Sequence, residues 1–134
     1  MISIRTATLE DLFTLAHITK EAYGGSALDL ETLERYFAIQ PDGVLLASFS
    51  DEPSGMVGVF DYQTFASVGV LGVLPAFRGK GIGRALMEHV EGWATRRGIF
   101  SFILDATHEG ARLYEKLGYR DEDTSYRLNL KRQK

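Results

Sequence analysis

The chain has no cysteine. Disulfides, thiolate nucleophiles and cysteine-ligated metals are therefore excluded. It has no apolar run approaching the roughly 20 residues that a membrane-spanning helix needs. It also lacks an excess of positive charge: 15 Lys and Arg stand against 18 Asp and Glu, for a net charge of −3. That balance argues against a nucleic-acid partner, which would call for a basic face. The first residues, Met1-Ile2-Ser3-Ile4-Arg5, do not show the basic-then-apolar order of a secretion signal, so a cytoplasmic protein is expected. No His and carboxylate residues stand at metal-ligand spacing, so no metal is expected. Repeats, linkers and low-complexity tracts are missing as well. The 134 residues read as a single domain, 1–134, large enough to bury its own core.

What is present is an alternation of strand and helix patterns. Ile2 and Ile4 mark a first short strand. Thr8, with Asp11 three residues on, reads as a helix N-cap, and Leu9, Leu12, Phe13, Ala16 and Tyr23 recur at helical spacing. Gly24-Gly25 stops that helix. A second helix begins near Asp29 with Leu30, Leu33 and Phe37 as its apolar stripe, and Pro41-Asp42-Gly43 forms a turn. Val44 to Phe49 and Met56 to Phe65 read as strands, joined by a hairpin connection over 50–55. A third strand follows at once, so the meander must pair antiparallel. Ile82, Leu86, Val90 and Trp93 define a helix to about Arg97, capped by Gly98. Gly92 inside it implies a close packing contact, since glycine there costs about 1 kcal/mol against alanine. Phe100 to Leu104 is another strand, Glu109 to Leu117 a short helix, and Tyr119 with 124–130 the closing strands. The order predicts an α/β (α+β) sandwich: a mixed, mostly antiparallel sheet of six to seven strands with helices on both faces.

One stretch stands apart. Val68 to Leu74 is a strand rich in β-branched residues, of the composition found where both faces are buried, and Pro75 ends its ladder. A basic glycine turn follows, Arg78-Gly79-Lys80-Gly81-Ile82-Gly83-Arg84, and opens a helix. Strand, glycine turn and helix together aim main-chain N–H groups and a positive helix end at one point, where a phosphate or pyrophosphate fits. A Walker loop is excluded because no Lys-Ser or Lys-Thr follows the last glycine. A dinucleotide fingerprint fails at Arg84, where its third glycine belongs, and its fold needs a longer and more parallel chain.

Arg78-x-x-Gly81-x-Gly83, after a strand ending Val73-Leu74-Pro75, resembles the acyl-CoA loop of the GNAT N-acetyltransferase superfamily. Leu113-Tyr114-Glu115-Lys116-Leu117-Gly118-Tyr119 is similar to that family's L-Y-x-x-x-G-[FY] signature. The resemblance covers nearly the whole chain in element order. It implies a central strand that splays from its parallel neighbour and direct acetyl transfer from acetyl-CoA, the co-substrate, to an amine acceptor. By resemblance, Leu71, Gly72 and Val73 lie along the pantetheine arm. Arg78, Gly79, Lys80, Gly81, Ile82, Gly83 and Arg84 surround the pyrophosphate, and Thr107 contacts the pantetheine. A main-chain N–H at Gly72 or Val73 would serve the developing oxyanion.

Tyr114 matches the tyrosine that protonates the departing thiolate. A phenol with a pKa of about 10 is protonated at neutral pH and can do this. Asp105 is the first choice as general base. His108 is the alternative, and counting back from Tyr114 without a gap puts Phe102 at the base position instead. His17 and His89 fall on helices and read as structural. Residues 22–25 and the aromatic segment Phe60 to Phe65 would wall the acceptor, with Glu21, Asp29, Asp61 and Asp105 as candidate partners for a cationic amine. The acceptor, a small molecule or a protein amine, stays open, as does the choice between monomer and homodimer. A non-catalytic acyl-CoA-binding or sensor module is the alternative reading.

Overall fold

The computed structural model describes residues 1–22, 29–105, 111–122 and 125–130, with the main chain alone at 105, 111–113 and 121. The strands are β1 (Ile2–Thr6), β2 (Val44–Phe49), β3 (Glu52–Asp61), β4 (Ala66–Val73), β5 (Ser101–Asp105), β6 (Arg120–Asp121) and β7 (Ser125–Asn129). The helices are α1 (Leu12–Ala22), α2 (Leu30–Ile39), α3 (Ile82–Thr95) and α4 (Ala111–Lys116). All seven strands form one sheet in the order β1-β2-β3-β4-β5-β7-β6. Among the described residues, only β4 and β5 run parallel; every other neighbour pair is antiparallel. The expected mixed, mostly antiparallel sheet is what the chain forms.

Each face of the sheet has its own core. On one, Leu86, Met87, Val90, Trp93 and Ala94 of α3 pack with Leu45, Val57, Val59, Val68, Phe102 and Leu104, and Tyr114 and Tyr119 join them. On the other, Leu15 and Ile18 of α1 and Leu33 and Phe37 of α2 cover Val44, Leu46 and Met56. Each fully buried Leu or Ile contributes about 1.5–3 kcal/mol relative to exposure. The alternation along β2 and β3 divides their side chains between the two faces.

Several local expectations shift. Thr8 opens a short 3-10 turn, Leu9–Asp11, rather than the helix itself; its N–H donates to Asp11 Oδ2 (2.8 Å). Asp11 also takes both terminal nitrogens of Arg5 (2.9 and 2.8 Å), tying β1 to the start of α1. Because α1 starts three residues later than expected, its buried stripe is Leu15, Ile18, Thr19 and Ala22, while Leu9 and Phe13 face solvent. Asp29 is the N-cap of α2, accepting from Thr32 N–H (2.8 Å). Of the presumed connection at 50–55, only Ser50-Asp51 is turn. Both have positive φ, so β3 starts at Glu52, and a bulge between Ala47 and Ser48 leaves Ser54 as the extra residue, with Pro53 opposite Ser48. β3 ends at Asp61, and 62–65 form the next turn, in which the Tyr62 and Phe65 rings stack (centroids 5.1 Å). Gly92 has no tight neighbour: among the described residues, a Cβ there would meet only the end of the Arg96 side chain, 3.1 Å away. Tyr23 and the Gly24-Gly25 stop lie outside the described residues.

A polar lock joins three elements at the end of the sheet where β4 begins. Arg97 pairs with Asp42 and with Asp61 (3.1 Å) and lies over the Trp93 ring (4.1 Å). Trp93 Nε1 and Gln40 Nε2 donate to Asp42 at 3.2 and 2.9 Å, and Gln40 Oε1 accepts from Asp61 N–H (3.1 Å). The turn after α2, the end of β3 and the end of α3 are held as one piece.

Candidate active site

The parallel pairing of β4 with β5 is only three residues long: Ala66, Ser67 and Val68 face Phe102, Ile103 and Leu104. Beyond Val68 the register places β4 against β3 alone, with Leu71, Gly72 and Val73 opposite Val57, Met56 and Gly55. The sheet thus forks in its middle. The expectation that this strand is buried on both faces holds for Ala66, Val68 and Gly72, but Gly69 is exposed and Val70, Leu71 and Val73 are half-buried. A strand that parts from its neighbour opens a flank, and an extended chain can lie along it.

Where the fork begins, β4 bulges. Gly58 pairs with Val70 and Val59 with Val68, so Gly69 is the extra residue. At the far end of β4, Pro75–Phe77 makes a 3-10 turn and delivers the chain to the glycine loop. Gly79 and Gly81 have φ of +80° and +84°, and a Cβ on either would meet no atom of the described residues within 4 Å. The left-handed backbone demands glycine there, and the absent side chains leave the main chain bare. Among the described residues, the N–H groups of Gly79 through Arg84 have no protein acceptor. Six adjacent donors at the positive end of a 14-residue helix form an anion cradle. The helix is seated by Gly55, where a Cβ would meet Ile82 and Leu86 side-chain atoms at 3.0 and 3.2 Å.

The basic side chains of the loop divide. Arg78 Nη2 donates to the Ala22 carbonyl (3.0 Å), and its own N–H turns back to Pro75. Lys80 Nζ sits 5.1 Å above the Phe49 ring. Arg84 is exposed and makes no side-chain pairing with another described residue.

Tyr114 is buried, with its ring 5.6 Å from that of Tyr126 and 6.0 Å from that of Tyr119. Tyr126 is registered against Leu104, and Leu104 against Val68. Tyr114 therefore belongs to the neighbourhood in which the fork opens. Asp105 ends β5, one residue past the last β4 pair and opposite Ser125 of β7. Thr107 and His108 lie outside the described residues. Phe102 is wholly buried in the core, and its phenyl ring has no group that could take a proton. Among the described residues, two buried side-chain oxygens have no hydrogen-bond partner: Tyr119 Oη, whose ring neighbours that of Tyr114, and Glu91 Oε2. Burial first, and then the charges of Glu91 and Tyr114, push Tyr119 above the ordinary phenol range. Burial, reinforced by Glu88, raises the Glu91 carboxyl.

Of the carboxylates considered for a cationic acceptor, two are already committed. Asp29 caps α2, and Asp61 holds Arg97 and the Gln63 N–H (2.7 Å). A residue that sequence patterning passed over stands here instead. Tyr36 of α2 lies across the sheet with its ring on Gly58 and its hydroxyl on Gly69. The available signal was glycine inside two adjacent strands, which marks a close approach by another group. Among the described residues, no three His, Asp or Glu side chains gather in a way that could hold a metal ion.

The family model described as acetyltransferase (GNAT) family matches residues 9–119. An uncharacterized N-acetyltransferase of Archaeoglobus fulgidus is 32% identical over 111 residues, covering 72% of this chain and 76% of its own. One from Chlorobaculum tepidum is 26% identical over 124 residues, covering 92% of this chain and 78% of its own. Among solved structures, a candidate acetyltransferase from Pyrococcus horikoshii superposes with a TM-score of 0.83 at 34% identity. That match covers 90% of this chain and 44% of the Pyrococcus chain, so this chain spans less than half of that protein. The PaiA N-acetyltransferase of Thermoplasma acidophilum, solved with coenzyme A, shares the fold at a TM-score of 0.80 and 20% identity, over 98% of this chain and 99% of its own. The forked sheet, the open glycine loop and these likenesses agree: this chain belongs to the GNAT family of acetyltransferases.

Proposed function

We propose that the protein transfers the acetyl group of acetyl-CoA directly to a primary amine. The observation that carries this reading is the row of N–H groups from Gly79 to Arg84 that no described residue accepts from, set beside a β4 flank that β5 leaves uncovered. Structures of the same fold from Thermoplasma acidophilum and Salmonella typhimurium hold coenzyme A and acetyl-CoA, respectively, which supports the same ligand here.

In this reading the six amides and the Arg84 guanidinium hold the pyrophosphate, with Lys80 adding charge nearby. Arg78 acts by fixing the loop to the end of α1 rather than by touching phosphate. Leu71, Gly72 and Val73 accompany the pantetheine arm along the fork, and Thr107 completes its contacts. The thioester then lies near the mouth of the fork. There a main-chain N–H of Gly72 or Val73 stabilises the carbonyl oxygen as it gains charge, an effect worth about 3–4 kcal/mol per donor.

The amine nitrogen attacks the carbonyl carbon, a C–N bond forms and the C–S bond breaks. The nitrogen gives up a proton to Asp105, directly or through water, with His108 as the alternative. The sulfur receives one from the Tyr114 hydroxyl. Holding both reactants in one site supplies much of the rate enhancement. No helix among the described residues is long and apolar enough to cross a membrane. We place the reaction in the cytoplasm.

The test has two arms. Titration with CoA should give a saturable rise in melting temperature, and free thiol should be released from acetyl-CoA only when an amine is added. Binding without amine-dependent release would make the protein an acyl-CoA sensor. Absence of binding would remove the proposal entirely.

A further inference from the structure

Building on the acetyl-transfer reading, we infer that Tyr36 is the acceptor-side contact of the site. Its hydroxyl accepts a hydrogen bond from the incoming amine above Gly69, and with Phe60 it selects amines on apolar or aromatic carriers.

Four observations converge. The first is the opening itself. Gly69 sits in a central strand of a seven-stranded sheet and yet is exposed, because the bulge and the fork coincide there. The second is the fit of Tyr36 to that opening. A Cβ on Gly58 would lie 3.0 and 3.1 Å from the Tyr36 ring, and one on Gly69 would lie 3.1 Å from its hydroxyl and 2.9 Å from Phe60 Cε2. Any side chain at either position would push the phenol away, so the two glycines make a seat for it.

Third, the ring is held and the hydroxyl is not. Tyr36 meets Phe60 edge-on, with centroids 4.9 Å apart at 83°, and α2 is fixed by its Asp29 cap. The Tyr36 hydroxyl makes no hydrogen bond with a described residue. Burial alone raises its pKa, so it stays a neutral group able to accept and donate. A half-buried hydroxyl without a partner among the described residues is incomplete, and a ligand N–H completes it.

Fourth, the described residues around the Tyr36 ring are apolar. Val70 packs on the same face as Tyr36, and Asp61 and Asp29 are engaged elsewhere. Two aromatic rings and a valine favour a hydrocarbon or aromatic flank on the amine over a chain of ammonium groups. With one N–H donating to Tyr36 Oη, the nitrogen's lone pair is free to face the thioester carbon at the fork, and a second N–H is left for the base at the end of β5. Tyr36 itself neither gains nor loses a proton. It orients the nucleophile.

The decisive comparison is wild type against Tyr36→Phe, which keeps the ring and removes one oxygen. Thiol release from acetyl-CoA is followed with 2-phenylethylamine, spermidine and alanine amide. We expect 2-phenylethylamine to be the best of the three. Its kcat/KM should fall about 10- to 100-fold in the variant through a raised KM, with CoA affinity and melting temperature unchanged. Gly69→Ala, whose methyl enters the same space, should also depress amine turnover while CoA binding persists; it serves as the second variant if Tyr36→Phe does not fold. Equal kcat/KM in wild type and variant overturns the role of Tyr36, and a preference for spermidine overturns the proposed selectivity. If wild type transfers to none of the three yet binds CoA, the acceptor site drawn here is wrong while the cofactor site stands. If CoA does not bind either, the fault lies in the acetyl-transfer reading itself.

Discussion

Arg78 reaches across 56 positions of sequence to donate to the Ala22 carbonyl at 3.0 Å. One hydrogen bond thus ties the glycine loop to the end of α1. Replacing Arg78 with Met keeps the aliphatic stem and removes the donor. The expected loss is about 1–2 kcal/mol of folding stability by urea titration, with a fall in CoA affinity that a fixed loop would not show. Loss of CoA affinity at unchanged stability would mean that Arg78 touches the phosphates after all.

Gly81→Val tests the cradle itself. The residue has a φ of +84°, and no atom of the described residues lies within 4 Å of its Cβ position. The folded chain should therefore survive with about 1–2 kcal/mol of backbone strain. The new side chain projects where the anion belongs, so CoA affinity should drop more than tenfold by calorimetry. Arg84→Ala should weaken CoA only about two- to fivefold, an effect that added salt removes. Unchanged binding in Gly81→Val would place the nucleotide elsewhere.

Tyr114→Phe addresses the proton delivered to sulfur. Both neighbouring rings, Tyr119 and Tyr126, remain in place to pack against it. Turnover should fall by about 10²–10⁴-fold while CoA binds as before. Wild-type turnover in this variant would remove Tyr114 from the chemistry.

Two carboxyl groups should give the stability profile opposite slopes. Burial pushes Asp42 up, but the hydrogen bond from Gln40 and the charge and hydrogen bond of Arg97 outweigh it and hold the group below its ordinary value. Its contribution is present above the unfolded pKa of about 3.9 and is lost as pH falls through the folded value. Burial raises Glu91. Below about pH 4.3 the buried carboxyl carries no charge penalty, and stability is lost as pH rises through the folded value. Asp42→Asn should cost about 1 kcal/mol at neutral pH and flatten the acid limb. Glu91→Gln should flatten the decline on the rising side. Urea titrations at several pH values read both, and a Glu91→Gln profile superimposable on wild type would mean that this carboxyl does not titrate in the window.

The element order and the glycine loop were legible because they rest on local rules. Asp29, Gly81, Gly98 and Gly118 do in space what their types announce: one capping side chain and three left-handed glycines. The misplaced details share a different cause. Leu9 and Phe13 fit a helical stripe, but a 3-10 turn rotates the helix that follows, and rotation is set by what the sheet offers. The fork between β4 and β5 was expected from the family resemblance alone, because a pairing that stops is encoded by no residue type. Tyr36 drew no notice because its meaning depends on two glycines in strands distant from it along the chain.

A sheet that divides after three parallel pairs leaves its own centre unfinished. Whatever lies along the open flank becomes a temporary strand of the protein, and its binding energy adds to the energy of folding. Survival against heat and proteases should therefore rise and fall with the supply of that ligand.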